Sequence, residues 1–508
     1  MPLRKFGKCF NLTIEKDILP YNLYNSENIK KRYFAIEDIK PYCDHQVRCN
    51  ILDRKILKND YDLYFDLFIE NCKKNKLYNE VGEIDILEYS KIYCEKDVEV
   101  LRVGYNKFGE LLENSCNMNI EDFMSSAQLA HNYMLNEGVF DDVNKISSIP
   151  KEFIMKCMVG GRTMCAKNEK NHIIDTLDDF DAVSLYPSAM KELGGYLKGE
   201  PKMIEDCNKN YEFLKEQDGY FIQIKVNKVN KHFRFPLMSY INDDGVRIFT
   251  NEPPENLYVC KIDLEELITH HKIEFDIIDG YYYDEGRNYK LKEVIKYSFN
   301  QRLKMKNQIT IKNTDEVIDF EISEIDAGMV KLKEQELKSK NIEYEKGNPL
   351  QEIWKLIMNS SYGKTLQKAV PEKTIIKRDD DEKFIDKNYN SISYYEEMCG
   401  TGEIKTYKIK QTVGVEDHFN NCPAGVEVLA MSKRIMNRVM CLAENNGLDI
   451  YYQDTDSMHL KTRDIKPLSK LFEEKYDSVL IGKGMGQFHS DFDSGVLKGD
   501  IHLQSVLF

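Results

Sequence analysis

The run Tyr451–Ser457 constrains the fold more than any other stretch, because two aspartates stand two residues apart between apolar and aromatic arms. A short polar centre between two apolar runs predicts a β-hairpin whose tip holds Asp454, Thr455 and Asp456. Two carboxylates on one tip repel each other unless a cation joins them. Mg²⁺ fits this role, since it prefers oxygen ligands and usually binds one or two protein carboxylates together with phosphates. A solvated aspartate-rich turn is the alternative interpretation.

The composition is that of a large soluble protein. A chain of 508 residues with 42% hydrophobic residues predicts two or more domains, or one large domain of several parts. No apolar run approaches the ~20 residues of a membrane span, and the first residues lack the apolar stretch of a signal peptide. The 13 cysteines form no CxxC pair, which favours reduced thiols in an intracellular compartment. We therefore expect an intracellular protein with no membrane partner.

The net charge of −14 argues against a basic coat that binds nucleic acid non-specifically. A local basic face remains compatible with it, because phosphate contacts depend on local charge. Residues 290–312 are predicted to be a helix rich in lysine and arginine, with Glu293 as its single acid. Arg302 and Lys306 stand four residues apart, on the same side of such a helix.

The first region, residues 1–145, contains a predicted helix over Tyr89–Leu101. Tyr93 and Asp97 lie four residues apart on this helix and therefore share a face. A metal-bound nuclease aspartate with an assisting tyrosine needs this pairing. An ordinary amphipathic helix is the alternative.

The sequence pattern changes at about residue 146, where a second region begins. A Gly160-Gly161 turn precedes the cation Arg162. Further along, Asp181 is predicted to close a strand immediately before a helix. Pro187 fits the first turn of that helix, where its missing N–H costs least.

A second long helix is predicted over Pro349–Lys364. Lys355, Asn359 and Tyr362 form a continuous stripe along it, and Gly363 is placed to end it. A stripe of Lys, Asn and Tyr is a poor core face, so we expect it to face a ligand. A solvated helix face is the alternative.

Three segments connect these elements. Residues 313–349 are predicted to be an acidic and polar connection between the two long helices. Residues 195–285 are predicted to be mixed and mostly β, with alternating apolar positions. Residues 366–412 are charged, which predicts an irregular segment.

Three of these motifs, in this order, resemble the polymerase core of the family B DNA polymerases. Residues 181–188 read DAVSLYPS and match DxxSLYPS, residues 355–363 read KLIMNSSYG and match KxxxNSxYG, and residues 452–457 read YQDTDS and match YxDTDS. Arg302 and Lys306 add the RxxxK pattern of the preceding helix.

Further features resemble the protein-primed branch of that family, whose members replicate linear viral and plasmid genomes. Segments 195–285 and 366–412 fall where that branch carries two insertions, which are associated with terminal-protein contact and strand displacement. The turn at Gly160 and Gly161 matches the YxGG linker between exonuclease and polymerase, with Met158 in place of the tyrosine.

The resemblance implies an α/β (α+β) right-hand polymerase fold with palm, fingers and a partial thumb, preceded by the remnant of an RNase H-like exonuclease domain. The implied divisions are an incomplete exonuclease-like region at 1–145 and a polymerase domain at 146–508. Within the polymerase domain, the palm comprises about 146–287 and 413–480, and the first insertion, at about 195–285, lies inside the palm. The fingers comprise about 288–365, the second insertion about 366–412, and the truncated thumb about 481–508.

The resemblance also implies the chemistry, which is template-directed addition of deoxynucleotides to a primer 3′-hydroxyl with two Mg²⁺ ions, or Mn²⁺ in their place. Asp181 and Asp456 are the implied bridging ligands, and Asp454 is a weaker one. The implied catalytic residues are Asp181, Asp454, Asp456 and Lys355. The implied nucleotide-binding residues are Tyr186, Arg302, Lys306, Lys355, Asn359 and Tyr362. The implied DNA-binding residues are Gly160, Gly161, Arg162, Ser184, Gly363, Thr455 and Lys483.

The implied partners are a DNA primer–template, deoxynucleoside triphosphates and a terminal priming protein, at a viral replication site or in a host cytoplasm. Tyr186 is expected to lie beneath the incoming sugar and to exclude a 2′-hydroxyl, which argues against an RNA polymerase or a reverse transcriptase.

Only the third of the three exonuclease motifs is visible, at Tyr93 and Asp97, and no Lys-x-Tyr thumb motif follows Gln487–His489. We therefore expect a chain truncated at both ends, without proofreading of its own. The alternative function is a catalytically impaired polymerase fragment that retains binding to DNA or to a terminal protein.

Overall fold

The computed structural model describes residues 10, 12, 14, 16–50, 56–367, 372–378, 382–400, 405–412, 421–490 and 500–503. The chain forms two compact units. The first comprises Met1–Phe123 and Met305–Ile353, and the second comprises Met124–Lys304 and Trp354–Phe508. Within the described ranges, no helix combines the length and the apolar character that crossing a bilayer requires.

The α-helices of the described residues are α1 (Asn28–Lys31), α2 (Ile36–Asn50), α3 (Lys58–Lys74), α4 (Ile86–Cys116), α5 (Ser126–Asn136), α6 (Ser148–Lys156), α7 (Leu185–Leu193), α8 (Tyr211–Lys215), α9 (Lys261–Glu266), α10 (Lys290–Asn307), α11 (Ile322–Asp326), α12 (Met329–Ser339), α13 (Leu350–Ser360), α14 (Glu382–Asn388), α15 (Cys422–Asn445) and α16 (Thr462–Tyr476).

The β-strands of the same residues are β1 (Tyr33–Phe34), β2 (Ile84–Asp85), β3 (Thr163–Cys165), β4 (Asn171–Ile174), β5 (Leu177–Ala182), β6 (Tyr196–Leu197), β7 (Lys202–Met203), β8 (Gly219–Val229), β9 (Met238–Ile241), β10 (Arg247–Thr250), β11 (Leu257–Cys260), β12 (Ile273–Tyr283), β13 (Arg287–Asn288), β14 (Ile309–Ile311), β15 (Glu316–Ile318), β16 (Tyr344–Lys346), β17 (Glu372–Arg378), β18 (Ile392–Gly400), β19 (Lys405–Thr412), β20 (Ile450–Asp454), β21 (Ser457–Lys461), β22 (Phe488–Ser490) and β23 (Asp500–Leu503).

The first unit contains an apolar core to which α2, α3 and the start of α4 contribute. Ile39, Phe68 and Ile86 are fully buried in it. Asp85 caps α4, since its carboxylate accepts a hydrogen bond from the backbone N–H of Glu88 at 3.1 Å. The helix α4 is 31 residues long and includes the predicted helix around Tyr93, so that prediction is confirmed.

The chain between α10 and α13 is more ordered than the sequence indicated. The strands β14, β15 and β16 form an antiparallel sheet in the order β15-β14-β16. Ile309, Phe320, Val330 and Leu337 are buried in a core of their own. The interpretation of residues 313–349 as a mere polar connection is therefore wrong, because widely spaced apolar residues supply a small core between charged ones. The helix α10 also ends at Asn307, short of the predicted limit at residue 312.

The second unit is built on a five-stranded sheet in the order β22-β5-β21-β20-β3. The helix α15 is its main buried element: from Cys422 to Ser432, every residue is buried. Such a helix, apolar on nearly all sides, belongs in the interior of a large domain. It packs closely against α7, which follows the strand β5.

The first predicted insertion is a β-rich layer, as the sequence indicated. Its sheet has the order β11-β8-β12-β7 and covers a core that includes Ile222, Ile224 and Leu264. Arg287 ties this layer to α15, because its guanidinium donates to both carboxylate oxygens of Glu427, at 2.9 and 2.7 Å. This pair is almost fully buried, so loss of either partner leaves an uncompensated charge in the interior.

The second predicted insertion was expected to be irregular, and that expectation is wrong. Its strands form an antiparallel sheet in the order β17-β19-β18. Ile409 on the central strand is fully buried, and Tyr395 stacks on Tyr407 with ring centroids 4.7 Å apart. Cross-strand pairs of this kind stabilise a sheet even where most side chains are charged.

Candidate active site

The Asp-Thr-Asp run lies at the tip of a β-hairpin, which confirms the prediction from the sequence. Strands β20 and β21 pair antiparallel, and Asp454 faces Ser457 across a two-residue turn. Thr455 occupies the left-handed region with φ 52°, a conformation that short hairpin turns require. The turn therefore projects Thr455 and Asp456 beyond the end of the sheet.

The sheet register brings Asp181 next to this turn. Asp181 at the end of β5 pairs with Ser457 on β21, and the backbone N–H of Ala182 donates to the carbonyl oxygen of Asp456 at 2.8 Å. Residues opposite each other in an antiparallel pair have Cβ atoms about 5 Å apart. Two half-buried carboxylates, Asp181 and Asp456, thus share one edge of the sheet although 275 residues separate them.

The third carboxylate, Asp454, is engaged elsewhere. It is exposed, and its Oδ1 accepts a hydrogen bond from the hydroxyl of Thr163 at 2.9 Å. In the described part of the chain, no three His, Cys, Asp or Glu side chains lie close enough to hold a metal ion together. The donor set is therefore a pair of carboxylates with nearby main-chain carbonyls. This set fits Mg²⁺, which commonly binds one or two protein carboxylates and completes its shell with phosphates and water.

A pair of stacked tyrosines lies in the same unit. Tyr186, in the first turn of α7, stacks on Tyr362 with ring centroids 4.1 Å apart and 18° between the planes. Burial, together with the neighbouring Tyr186 and Asp456, raises the pKa of Tyr362, so its phenol stays neutral. Tyr186 follows Asp181 by five residues, so the stack lies at the corner where β5 leads into α7.

Ser184 links this corner to the basic helix α10. It takes the left-handed conformation, with φ 50°, at the start of α7. Its hydroxyl accepts a long hydrogen bond, 3.5 Å, from the guanidinium of Arg302. Arg302 therefore lies beside the strand end that carries Asp181.

The other predicted nucleotide-binding residues are distributed as follows. Lys355 and Asn359 are exposed on α13, one turn apart. Lys306 is exposed on α10 but belongs to the first compact unit. Gly363 opens the 3₁₀ turn Gly363–Leu366 that follows α13, so the helix ends three residues before the predicted glycine.

Lys483 is exposed in the loop before β22. This loop is fixed to the active-site strand, because the N–H of Val183 donates to the carbonyl of Gln487 at 2.8 Å. The strand β22 then pairs with β5, with His489 opposite Asp181. Residues 488–490 therefore belong to the central sheet.

The comparisons with known proteins agree with this geometry. Residues 2–315, more than half of the chain, match the family described as DNA polymerase type B, organellar and viral. This chain belongs to that family. A DNA polymerase of Kluyveromyces lactis is 26% identical over an alignment of 491 residues, and the match covers 94% of this chain and 43% of that protein. The type B resemblance inferred from the motifs is thereby confirmed.

Two solved structures of Phi29 DNA polymerase resemble this type B chain, each with a TM-score of 0.51. One, a ternary complex with primer-template DNA and incoming nucleotide, is 16% identical, and the match covers 96% of this chain and 63% of that one. The other, an orthorhombic crystal form, is 14% identical, with coverage of 96% and 62%. The likeness shows a polymerase fold, which confirms the predicted fold class. The chain spans less than half of the curated relative and less than two thirds of the Phi29 chains.

The linker of this type B chain contacts the hairpin tip, but not as predicted. A Cβ on Gly161 would lie 2.6 Å from Cγ2 of Thr455, so only glycine allows this approach. Gly160 is exposed. Arg162 was predicted to bind DNA, and this is wrong for its side chain: it is 2% exposed, and its guanidinium donates to Asn437 at 2.9 Å. A buried and hydrogen-bonded guanidinium cannot reach a phosphate at the surface.

The residues of the predicted exonuclease motif, Tyr93 and Asp97, do not form a metal site in the described part of the chain. Tyr93 is buried, and its hydroxyl is 2.8 Å from that of Tyr21. The carboxylate of Asp97 forms an ion pair with Lys16 at 2.7 Å, and the Lys16 ammonium lies 5.0 Å from the centre of the Tyr93 ring. A lysine thus neutralises the one recognisable exonuclease carboxylate, and these residues do not fit a metal ion.

Sequence reasoning missed Thr163, Lys16 and Asn437. Thr163 contacts Asp454 across 291 residues, and Arg162 contacts Asn437 across 275. Lys16 lies 81 residues before Asp97. None of these partners carries a local motif, and only the three-dimensional pairing identifies them.

Proposed function

We propose that this chain carries the polymerising centre of a template-directed DNA polymerase, which adds deoxynucleotides to the 3′-hydroxyl of a primer. The observation that carries the proposal is the register of the central sheet. Because Asp181 pairs with Ser457, its carboxylate lies beside the turn that bears Asp456. Membership of the type B DNA polymerase family supports the same reaction.

Asp181 and Asp456 would hold the divalent cations, Mg²⁺ or Mn²⁺ in its place. Asp454 would be a weaker ligand, because Thr163 already engages its carboxylate. When bound, two such ions bring the primer hydroxyl and the triphosphate together and stabilise the charge of the leaving pyrophosphate. The protein supplies the two carboxylates on a rigid strand end and a tight turn, which keeps their spacing fixed before substrate arrives.

Two cations of the second unit would hold the triphosphate. Arg302 is suited to bidentate contacts with phosphate oxygens, whereas Lys355 acts as a point charge. Arg302 already lies beside Ser184 at the end of the active-site strand. Such preorganised cations stabilise the charge that develops on the leaving group.

The stacked tyrosines would select the nucleotide. The ring of Tyr186 would lie beneath the incoming sugar and exclude a 2′-hydroxyl. Tyr362 would line the nascent base pair together with Asn359, which is exposed on α13. The stack supports these roles, because it holds the Tyr186 ring in one orientation.

Main-chain and small residues would contact the DNA strands. Ser184 and Thr455 flank the two carboxylates, and the exposed Lys483 offers a phosphate contact on the primer side. The candidate DNA-binding residues are therefore Gly160, Gly161, Ser184, Gly363, Thr455 and Lys483.

The biological setting that fits this enzyme is protein-primed replication of a linear viral or plasmid genome. Its partners would be a DNA primer–template, deoxynucleoside triphosphates and a terminal protein. The domain divisions inferred from the resemblance, with a truncated thumb at about 481–508, belong to the same proposal. The two inserted sheets are the natural candidates for contact with a terminal protein and for strand displacement.

Primer extension tests the reaction. The purified chain is incubated with a labelled primer on a longer template, the four deoxynucleoside triphosphates and Mg²⁺. We expect template-dependent extension that disappears with EDTA and in Asp456→Ala. A parent protein that extends no primer, while binding the same primer–template tightly, would instead support a catalytically impaired fragment.

Protein priming is tested separately with a radiolabelled deoxynucleotide and a linear template in an extract of the replicating cell. Label that stays on a protein after denaturation, and that protease releases, supports it. Label found only on DNA contradicts it.

A further inference from the structure

The buried guanidinium of Arg162 is anchored on three sides. It donates to the side-chain oxygen of Asn437 at 2.9 Å and to the carbonyl of Phe235 at 3.4 Å. It also lies over the ring of Phe249, 5.4 Å from the ring centre. A cation–π contact strengthens when both partners are desolvated, as they are here.

The main chain around Arg162 holds the catalytic turn. The backbone N–H of Thr455 donates to the carbonyl of Arg162 at 2.9 Å. On one side Gly161 packs against Thr455, and on the other Thr163 donates to the carboxylate of Asp454. Three consecutive linker residues therefore contact the hairpin tip.

The anchor of the guanidinium extends into the first insertion. The side-chain amide of Asn437 donates to Glu266 at 3.1 Å, and Glu266 also accepts from Arg434 at 2.9 Å. Asn437 lies on α15 and Glu266 lies at the end of α9. The position of Arg162 is thus fixed by two elements that do not themselves form the catalytic turn.

We propose that Arg162 is a positioning residue: its buried side chain fixes the linker whose carbonyl holds the Thr455–Asp456 turn in register with Asp181. The inference rests on the proposed function, because the turn is argued to carry a metal ligand. It goes beyond that function, since it assigns a role to a side chain that is buried beneath the linker. A purely structural arginine would stabilise the fold without any specific effect on the turn.

The chain offers a matched control in Arg434. This partly buried arginine belongs to the same network, because its guanidinium donates to Glu266, but it also contacts α9 through Glu265 and the carbonyl of Ile262. Arg162→Met and Arg434→Met therefore disturb the same network at opposite ends. Only the first disturbs the end that bears the turn.

Amide hydrogen exchange measures the turn directly and needs no enzyme activity. For Arg162→Met we expect faster exchange in peptides that cover Tyr452–Ser457, by about tenfold or more, because a loosened linker weakens the Thr455 hydrogen bond. For Arg434→Met we expect faster exchange in α9 and parental exchange in the hairpin. Equal acceleration of the hairpin in both variants, or none in Arg162→Met, overturns the proposal.

Kinetics add a second readout. We expect Arg162→Met to lower kcat about tenfold to a hundredfold with little change in the KM for primer–template, since small displacements of reacting groups have effects of this size. Arg434→Met should keep the parental kcat at a temperature where it is folded. If Arg162→Met does not fold, Phe249→Leu removes the aromatic contact alone and decides by the same comparison of exchange rates.

The two proposals fail in different ways. If the parent has no polymerase activity but Arg162→Met selectively accelerates exchange in the hairpin, the positioning role stands and the proposed function is overturned. If the parent is an active polymerase and Arg162→Met changes neither the hairpin exchange nor kcat, the proposed function stands and the positioning role of Arg162 is overturned.

Discussion

The ring of Tyr186 lies against the ring of Tyr362, with centroids 4.1 Å apart and planes inclined by 18°. Such stacking contributes about 0.5–1.5 kcal/mol beyond the burial of the rings. Tyr186 lies five residues after Asp181, in the first turn of α7, whereas Tyr362 follows the end of α13. The stack therefore holds the proposed sugar-selecting ring in one position relative to the carboxylates.

Tyr186→Ala is expected to admit ribonucleotides. Removing the ring opens space beneath the 2′ position without touching a carboxylate. We expect the ratio of kcat/KM for ribonucleotide to kcat/KM for deoxyribonucleotide to rise by about tenfold to a hundredfold. Single-nucleotide incorporation with both substrates measures the ratio.

Two control variants separate steric selection from packing. Tyr186→Phe keeps the ring and should keep the parental ratio. Tyr362→Ala removes the supporting ring and should raise the ratio by an intermediate amount. If Tyr186→Ala loses activity on both nucleotides equally, Tyr186 is a packing residue and the selection role is wrong.

The two aspartates of the hairpin are expected to differ in importance. Asp456→Ala should lower kcat by about a thousandfold or more, because a metal-binding carboxylate contributes several kcal/mol to such a reaction. Asp454→Asn keeps an oxygen that accepts from Thr163, and should cost about tenfold to a hundredfold, the usual cost at supporting residues.

Primer extension at saturating Mg²⁺ measures both losses, and circular dichroism checks that the variants are folded. Equal losses in the two variants would show that Asp454 is a metal ligand of the same rank as Asp456. A fully active Asp456→Ala would remove the hairpin from the active site altogether.

No 3′–5′ exonuclease activity is expected from this chain. The ion pair of Asp97 with Lys16 occupies the carboxylate that a metal would need. Degradation of a 5′-labelled single strand in the presence of Mg²⁺ measures the activity. We expect the same background in the parent, in Asp97→Ala and in Lys16→Met.

The ion pair between Asp97 and Lys16 is expected to stabilise the first region and not to take part in catalysis. Asp97→Ala leaves the mostly buried Lys16 ammonium without its carboxylate, and should lower the free energy of unfolding of that region by about 1–3 kcal/mol. Nuclease activity in the parent that Asp97→Ala abolishes would contradict this interpretation and restore a catalytic one.

The parts of the site that the sequence predicted are those encoded within a few residues. The hairpin at Thr455 follows from two apolar arms around a polar centre, and the strand-to-helix corner at Asp181 follows from a turn with a proline after it. The pairing of Asp181 with Ser457 does not follow from either, since register between distant strands depends on the whole sheet.

The wrong predictions for Arg162 and for the second insertion have the same physical origin, because both depend on contacts between residues that are distant in sequence. Arg162 follows two glycines, which is typical of an exposed turn, but Asn437 and Phe249 bury it from far along the chain. The second insertion is rich in charge, yet it forms a sheet in which Ile409 on the central strand is fully buried and Tyr395 stacks on Tyr407. Sparse apolar residues give little local periodicity, so their packing was not predictable from the sequence.

The last prediction concerns stability at acidic pH, and it rests on His271. This residue is fully buried, and its two ring nitrogens contact the carbonyl of Lys231 at 2.7 Å and the backbone N–H of Leu237 at 3.1 Å. One nitrogen donates and the other accepts, so only the neutral ring satisfies both bonds.

Burial, aided by the nearby cations Arg162 and Lys231, lowers the pKa of His271 from 6.5 to about 4, although its hydrogen bond to the carbonyl of Lys231 acts in the opposite direction. As the pH falls below 6.5, the unfolded chain binds a proton that the folded protein still rejects. The stability that His271 contributes is therefore complete above pH 6.5 and is lost between about pH 6.5 and pH 4. Between pH 7.5 and pH 5 the expected loss is about 2 kcal/mol.

Urea unfolding at pH 7.5 and pH 5 measures this loss in the parent and in two variants. His271→Gln should be less stable than the parent at pH 7.5, because its hydrogen bonds are disturbed, but should lose about 2 kcal/mol less on acidification. His45→Gln removes an exposed histidine of the first unit, which does not contribute to the lowered pKa of His271, and should keep the pH dependence of the parent. If His271→Gln and the parent lose the same stability on acidification, the buried ring is not the group that titrates, and the acid sensitivity of this unit lies elsewhere.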